Sequence, residues 1–514
     1  MRMIPLKRPS ILHTRSQRHR FPRALGILLT LFVASLSVSC IKKPPIDKSY
    51  AFIENMQRHQ CDTFFAQPPD GAVYPRGFPA PVVSWVRAIN ESSGAVKSHP
   101  WRLTISDHDT VLYSTESKNN FWIPDQAQWD GWAGKDLTFH VSKKDSLALH
   151  QALPVTIRID TATLTEDITF RLLTPEDDFE ANVHSAFKTK VIHFDPLSQK
   201  ATELYDGNQG CMGCHSSRAS LNGWTGLLDH AYLLSFFIDD QGRESSFIGP
   251  SYIPSLYFPR HSATGDKVIY TVSDLHYGYM AIPSYAQDLT LPFKLLLLKG
   301  DVVVHDLKND VISPLPGADT KDFSETGAIW SPDEKEVAFF RYTLTKKSDI
   351  YIVPFNDGKG GKPKPLKGAS HNGWNNYFPE YSPDGRWIAF CRGVESTNYA
   401  APSSDIYLVP RSGGRAKKLS CNTDGVMDSW HSWSSDSRWL LFASKRDGFT
   451  TRCYLTRIDD QGNSSTPILV PYKAQHNHRI NMPTWAKKGT PIAIPKETIA
   501  SLYEKKIKLK SSTP

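Results

Sequence analysis

Long apolar runs are scarce in this chain, and so are cysteines and recognisable catalytic signatures. The only extended apolar stretch, ALGILLTLFVASLSVSC at residues 24–40, falls short of the roughly 20 residues a membrane-spanning helix needs. Only 7 of 514 residues are cysteine, too few for a disulfide-built scaffold. No G-x-S-x-G elbow, no H-E-x-x-H and no P-loop occurs, so the familiar hydrolase and nucleotide motifs are missing. Glycine and proline show no period, which argues against a collagen-like or broadly disordered chain. A large basic excess is missing too. The net charge is +8, but seven basic residues lie within the first 23 and no acid accompanies them, so the remainder carries about +1. A nearly neutral protein lacks the electrostatic footprint of a nucleic-acid binder.

The basic opening, the short apolar run and the small residues before Cys40 form a secretory signal over residues 1–40. Ending in S-V-S-Cys40, it resembles a bacterial lipoprotein signal, although Ser37 stands where leucine is usual. That resemblance implies lipidation of Cys40, with a plain secretory signal or an uncleaved anchor as alternatives. Each version exports the protein to the periplasm, outer membrane or cell surface, where disulfides are permitted. Cys61, Cys391, Cys421 and Cys453 allow three pairings, and the sequence does not choose among them.

The second half of the chain repeats itself. GAIWSPDEKEVAFFRY (327–342), FPEYSPDGRWIAFCRG (378–393) and WHSWSSDSRWLLFASK (430–445) each read as strand, S-P-D-G-like turn, strand, with SDIYIVPF, SDIYLVPR and TRCYLTRI following. Weaker copies stand at 258–273 and 482–495. The anchors His261, Trp330, Tyr381, Trp433 and Trp485 are spaced 69, 51, 52 and 52 residues apart. The long first interval contains YGYMAIPSYAQDLTLPFKLLL, which reads as an insertion. A four-stranded unit at this period predicts a β-propeller, since a lone sheet cannot bury both faces and radial stacking can.

The W/Y-S-P-D-G turns followed by I-A-F resemble the propeller repeat of TolB, a component of the Tol translocation system, over about residues 205–495. The resemblance implies a TolB-like propeller in which the segment before each turn is the innermost strand; counting the repeats gives six blades, with five or seven as alternatives. His215 precedes His261 by 46 residues, so CMGCH falls on the inner strand of the first blade. The last repeat has too few strands, and KTKVIHFDPLSQKATELYD (188–206) supplies two partners that close the ring and remove its sheet edges. Before the propeller (166–500) the sequence predicts a tether at 41–70. A β-sandwich of immunoglobulin or fibronectin III kind follows at 71–165. A basic tail occupies 501–514. The expected fold class is all-β.

Cys211, Cys214 and His215 form C-x-x-C-H. In c-type haem attachment the two thiols add to the porphyrin vinyl groups and the histidine binds iron. Chance supplies on the order of 0.003 such matches for this composition. A zinc site needs about four ligands, a thioredoxin-like dithiol belongs to an α/β unit, and a structural disulfide or decayed motif needs only the thiols. The chain looks like exported TolB-like propellers in which C-x-x-C-H-S replaces the turn of one blade. By that resemblance Cys211 and Cys214 are the thioether residues and His215 the proximal ligand of one covalent haem c. For the distal iron position His431 and Met482 are the candidates, with His371, His476 and His478 in nearby connections. Asp333, Asp384 and Asp436 read as turn formers rather than catalytic acids.

These residues support an exported, lipid-anchored propeller with one haem c, acting in electron transfer or redox or ligand sensing with a redox or envelope protein partner. The alternative is an envelope scaffold that binds a protein or glycan and has no redox role. A haem-dependent oxidoreductase is a further reading; a hydrolase is disfavoured, because no hydrolase motif accompanies the propeller.

Overall fold

The chain divides into two compact units, residues 1–55 and 56–514. A computed structural model describes residues 63–87, 100–144, 149–175, 187–206, 212–217, 223–228, 234–239, 244–248, 255–280 and 293–343. It also describes 345, 347–395, 401–448, 450–476, 478–489 and a few positions from 493 to 504. The signal, Cys40, Cys61 and Cys211 lie outside the described residues, as does the side chain of Cys214.

Six four-stranded antiparallel sheets make up most of the second unit. Their first strands are Met212–Ser217, Ser255–His261, Ser324–Trp330, Asn375–Tyr381, Asp428–Trp433 and Arg479–Lys487. These strands touch in cyclic order, and the last also meets the first. The result is a β-propeller with the inner strands around a central channel. The sheets are called first to fifth here, and the sixth the closing sheet.

Local chemistry explains the repeat. Valine, isoleucine and aromatic residues fill the strands, where β-branched and ring side chains pack best. Each tight turn is tied by its own serine and aspartate. The Ser331 hydroxyl donates to Asp333 at 2.7 Å and accepts from the Glu336 amide at 3.1 Å. Ser382 with Asp384, and Ser434 with Asp436, repeat the first bond at 2.6 Å. The aspartates are therefore turn formers, as their positions predict.

The closing sheet joins Arg479–Lys487 to Glu166–Pro175, Phe187–Asp195 and Lys200–Tyr205. Three upstream strands take part where the sequence suggested two; the third, Glu166–Pro175, opens the expected propeller range but carries no repeat signature. The two ends of the expected insertion extend a hairpin, since Lys267–Met280 and Phe293–Asp306 stay paired out to Met280 and Phe293, and its middle, 281–292, lies outside the described residues.

N-terminal to the propeller lie two more sheets. One has Thr63–Gln67, Val83–Arg87 and Phe121–Trp122; the other is six-stranded. They share an aromatic core in which Trp85 contacts Trp101 at 5.9 Å and Phe65 contacts Phe139 at 6.4 Å between ring centres. Thr63–Gln67 corrects the tether expected at 41–70: TFFAQ pairs with Val83–Arg87 and buries Thr63. Arg457 of the fifth sheet binds Asp160 at 3.0 Å, and the Thr466 amide donates to the Gly71 carbonyl at 3.1 Å. The N-terminal sheets and the propeller thus share one hydrophobic core.

Candidate functional site

The inner strands converge on the channel through a recurring bulge. Three residues before each anchor the chain enters the left-handed region: Phe258 (φ 51°), Gly327 (59°), Phe378 (52°), Trp430 (51°) and Met482 (53°). Pairing register breaks at the same places. A bulge leaves one residue unpaired and re-aims the strand. These five residues line a narrow chamber of about 30 Å³ together with Arg260, Glu380 and His431, room for a water or two.

His431 occupies the position where the other sheets carry Pro259, Ala328, Pro379 and Pro483. It is buried; its Nδ1 lies 3.5 Å from Cys391 Sγ, and its Nε2 has no hydrogen-bond partner among the described residues. Burial, aided by the Arg260 charge and opposed by the Ala389 and Phe378 carbonyls, lowers its pKa to about 4. Burial raises the Cys391 thiol to about 12. The two are therefore neutral at pH 7, unlike the thiolate–imidazolium pair of a cysteine nucleophile.

A wider chamber of about 180 Å³ lies at the turn end of the channel, with lining residues from all six sheets. Four aromatic anchors, Trp330, Tyr381, Trp433 and Trp485, line it with His261. Trp330 and Trp485 donate their indole N–H to the carbonyls of Arg260 (3.2 Å) and Ser432 (3.1 Å) on the preceding sheets. Arg260 and Glu380, which line both chambers, form an ion pair of 3.3 Å. Glu166 of the closing sheet also faces the wider chamber and is 4% exposed. Both its carboxylate oxygens accept from the Ser435 amide at 3.1 Å. Burial outweighs those hydrogen bonds and raises its pKa, with Asp436 adding repulsion.

The described part of the motif, residues 212–215, lies on the inner strand of the first sheet, with a register break between Met212 and His215. His215 is fully buried between the first and closing sheets, and neither ring nitrogen has a hydrogen-bond partner among the described residues. Burial, then the charges of Arg171 and Arg260, push its pKa down to about 3; the Thr169 carbonyl opposes them. This seam is polar. The Ser217 hydroxyl meets Thr169 Oγ1 at 3.0 Å and Thr484 Oγ1 at 2.8 Å, and His193 bonds Asp167 at 2.9 Å.

The structure brings His431 and Met482 into one chamber and places His215 elsewhere, at the seam. His371 is exposed and pairs with Asp349 at 3.1 Å. His478 bonds the Ala474 carbonyl at 2.7 Å, and His476 ends the short turn Lys473–His476. Cys391, Cys421 and Cys453 are buried free thiols. Among the described residues no group of three or more histidine, cysteine or acidic side chains could hold a metal ion. Sequence reasoning missed Arg260, Glu380 and Glu166. The first two stand one residue before an anchor, a signal the alignment contains; Glu166 belongs to no motif.

No family model matches the chain, and no curated protein matches it. Some solved structures resemble it at a distance. TolB from Acinetobacter baumannii is 13% identical, with 71% of this chain and 86% of that one covered and a TM-score of 0.43. A TolB from Agrobacterium tumefaciens is 14% identical over 59% of this chain and 88% of its own, with a TM-score of 0.39. A DUF4784 family protein from Bacteroides caccae is 9% identical over 83% and 99%, with a TM-score of 0.35. Likenesses this distant assign no activity; the propeller stands on the chain's own sheets.

Proposed function

We propose that the chain is an exported cell-envelope scaffold, a six-bladed propeller preceded by an immunoglobulin- or fibronectin III-type sandwich, that binds a protein partner. The outer face of the three-stranded N-terminal sheet carries this reading. Val86 and Phe121 are 45% and 43% exposed there, and Val82 and Ile123 beside them 46% and 62%, while Val83 and Trp85 of the same strand fill the core. Val86 shares that outward face with Ser84, which Phe121 pairs across, and exposed apolar side chains gathered on one face mark interaction sites. Aliphatic side chains suit a protein better than a glycan. The test is crosslinking in cells from a photoreactive residue at position 86. One crosslinked species is expected, lost in Phe121→Asp with an unchanged melting temperature; equal yield from the variant overturns the reading. Export and lipidation of Cys40 belong to this proposal, and the intact mass of the mature protein tests them.

His215 favours a second reading, haem c on CMGCH. A buried, neutral imidazole whose ring nitrogens have no well-formed hydrogen bond among the described residues fits an iron ligand, since buried polar atoms otherwise find partners. Cys211 and Cys214 would hold the group by thioether bonds and His215 would bind the iron. Bound there, haem supplies one-electron exchange or small-ligand binding. Seam burial excludes water from His215 and keeps its lone pair free of protons at neutral pH. An absorption spectrum of dithionite-reduced protein, made with a cytochrome c maturation system, decides: a sharp α-band with haem retained after denaturation supports it, and a colourless folded protein removes it.

A further inference from the structure

Glu166 is a buried acid without a counter-ion among the described residues. Arg260, the cation that lines its chamber, is already paired with Glu380 at 3.3 Å. The hydrogen-bond partner of Glu166 is an uncharged amide, that of Ser435. Buried carboxylates are normally paired, because an isolated charge in a low-dielectric site is costly. Seams between other sheets are clasped more cheaply. The Asp384 amide donates to the Ser437 hydroxyl at 2.9 Å, and the Thr264 amide to the half-buried turn residue Glu334 at 2.6 Å. A clasp therefore explains a hydrogen-bond acceptor at Glu166 but not a buried charge.

The chamber in front of this carboxylate suits a cation of a particular kind. Trp330, Tyr381, Trp433 and Trp485 line it, and aromatic rings attract both cations and alkyl groups. Trp433 Nε1 is buried and has no acceptor among the described residues, although the equivalent indoles of Trp330 and Trp485 have theirs. A cavity of about 180 Å³ exceeds what a bare metal ion needs and matches a compact organic group, since about 150 Å³ accepts benzene. Its position at the turn end, among Pro332, Pro383 and Ser435, gives it a mouth on that face of the propeller.

We propose that the wider channel chamber binds an alkylammonium group, with Glu166 as its counter-ion and the aromatic anchors around its carbon atoms. The site is distinct from the N-terminal sheet face on which the scaffold reading rests, so either can fail without the other. Among the described residues the charged and titratable groups facing Glu166 are Asp436, the Arg260–Glu380 pair, Tyr381 and His261, whose Nε2 bonds Thr225. Protonating Glu166 removes the counter-charge, and its raised pKa brings that loss closer to neutral pH than for an ordinary carboxylate. Affinity therefore falls as pH falls.

Calorimetric titration of the full mature chain tests this. Choline probes a free quaternary cation, n-butylammonium a lysine side chain of a partner, and 3,3-dimethylbutan-1-ol is the uncharged isostere of choline. Expected are saturable binding of at least one cation below about 10 mM, at least tenfold weaker binding of the alcohol, and weaker binding at pH 5 than at pH 8. Preference between the two cations tells the sources apart. Glu166→Gln keeps an acceptor for the Ser435 amide and removes the charge; it should weaken binding at least tenfold, about 1.4 kcal/mol. If that variant does not fold, the isostere and pH comparisons on the unaltered chain still decide. Absence of saturation by either cation, equal binding of the alcohol, or an unchanged affinity in a folded Glu166→Gln protein overturns the proposal.

Discussion

Phe258, Phe378, Trp430 and Met482 hold left-handed backbone although each carries a large side chain. Such a residue costs about 1–2 kcal/mol without compensation, and here packing against the neighbouring strands supplies it. Gly327 differs. A Cβ there would run into the Phe340 ring, so glycine is required by space as well as by φ. Gly327→Ala should lower stability by about 2–4 kcal/mol, measured by urea unfolding. Gly327→Ala with Phe340→Leu should recover part of the loss, because the smaller side chain removes the collision and leaves only the backbone strain.

His431 shows the same coupling of position and chemistry. Its native pKa of about 4 lies below the usual histidine value of 6.5. As pH falls below 6.5 the unfolded chain takes up the proton first, so this group's contribution to stability is present above 6.5 and is lost down to about pH 4. The slope it adds is at most about 1.4 kcal/mol per pH unit. Buried acids with raised values, Glu166 among them, act with the opposite sign, so the check is a difference. Stability of His431→Gln against pH should be flatter than that of the parent by close to one proton between pH 6.5 and 4. Equal slopes would mean that His431 is charged in the fold.

At the scale of the sheet, the third, fourth and fifth each set an arginine on a tyrosine. Arg341 lies 4.5 Å over Tyr351, Arg392 4.2 Å over Tyr407 and Arg446 4.7 Å over Tyr454. The partner on the inner strand changes from Glu325 to Asn376 to Asp428. Asp428 is fully buried, and burial outweighs the pull of Arg446 and raises its pKa. The pair is therefore poised between gain and cost. Arg446→Ala should lose about 3–5 kcal/mol by stranding that carboxylate, and adding Asp428→Asn should restore more than half, both read from denaturant midpoints.

The S-P-D-G turns and aromatic anchors were legible because each repeats at nearly fixed spacing. Arg341 and Arg392 share one repeat position, two residues after matching phenylalanines, while Arg446 stands two places further on, and the stack's meaning appears only when the third strand brings the tyrosine alongside. Glu166–Pro175 and Thr63–Gln67 carry no repeat, and their roles depend on partners distant in sequence. Glu166 illustrates the limit: one acid among many in the sequence, it is singled out only by the channel that the other five sheets enclose.

At the scale of the whole molecule the ring depends on Arg479–Lys487, which pairs with Glu166–Pro175 and also contacts the first and fifth sheets. Trp485, 3% exposed, ties it to Ser432. Ending the chain before Arg479 should abolish cooperative unfolding rather than trim stability, because the inner strands of two neighbouring sheets and three upstream strands lose a partner together. Calorimetry and limited proteolysis would show this as a broad, low-enthalpy transition and cleavage throughout the propeller. A sharp melt in the shortened chain would mean that five sheets suffice.

The seam also sets an order of events during biosynthesis. Thr169 waits for Thr484 across more than three hundred residues. Until the final strand emerges, the polar surface around Asp167, His193 and His215 has no cover, and the nascent ring has two open edges. Contacts this distant form slowly and leave partly assembled chains prone to association. A chain that cannot shut before its last strand is made stays threadable, which is what the export proposed above would require of it.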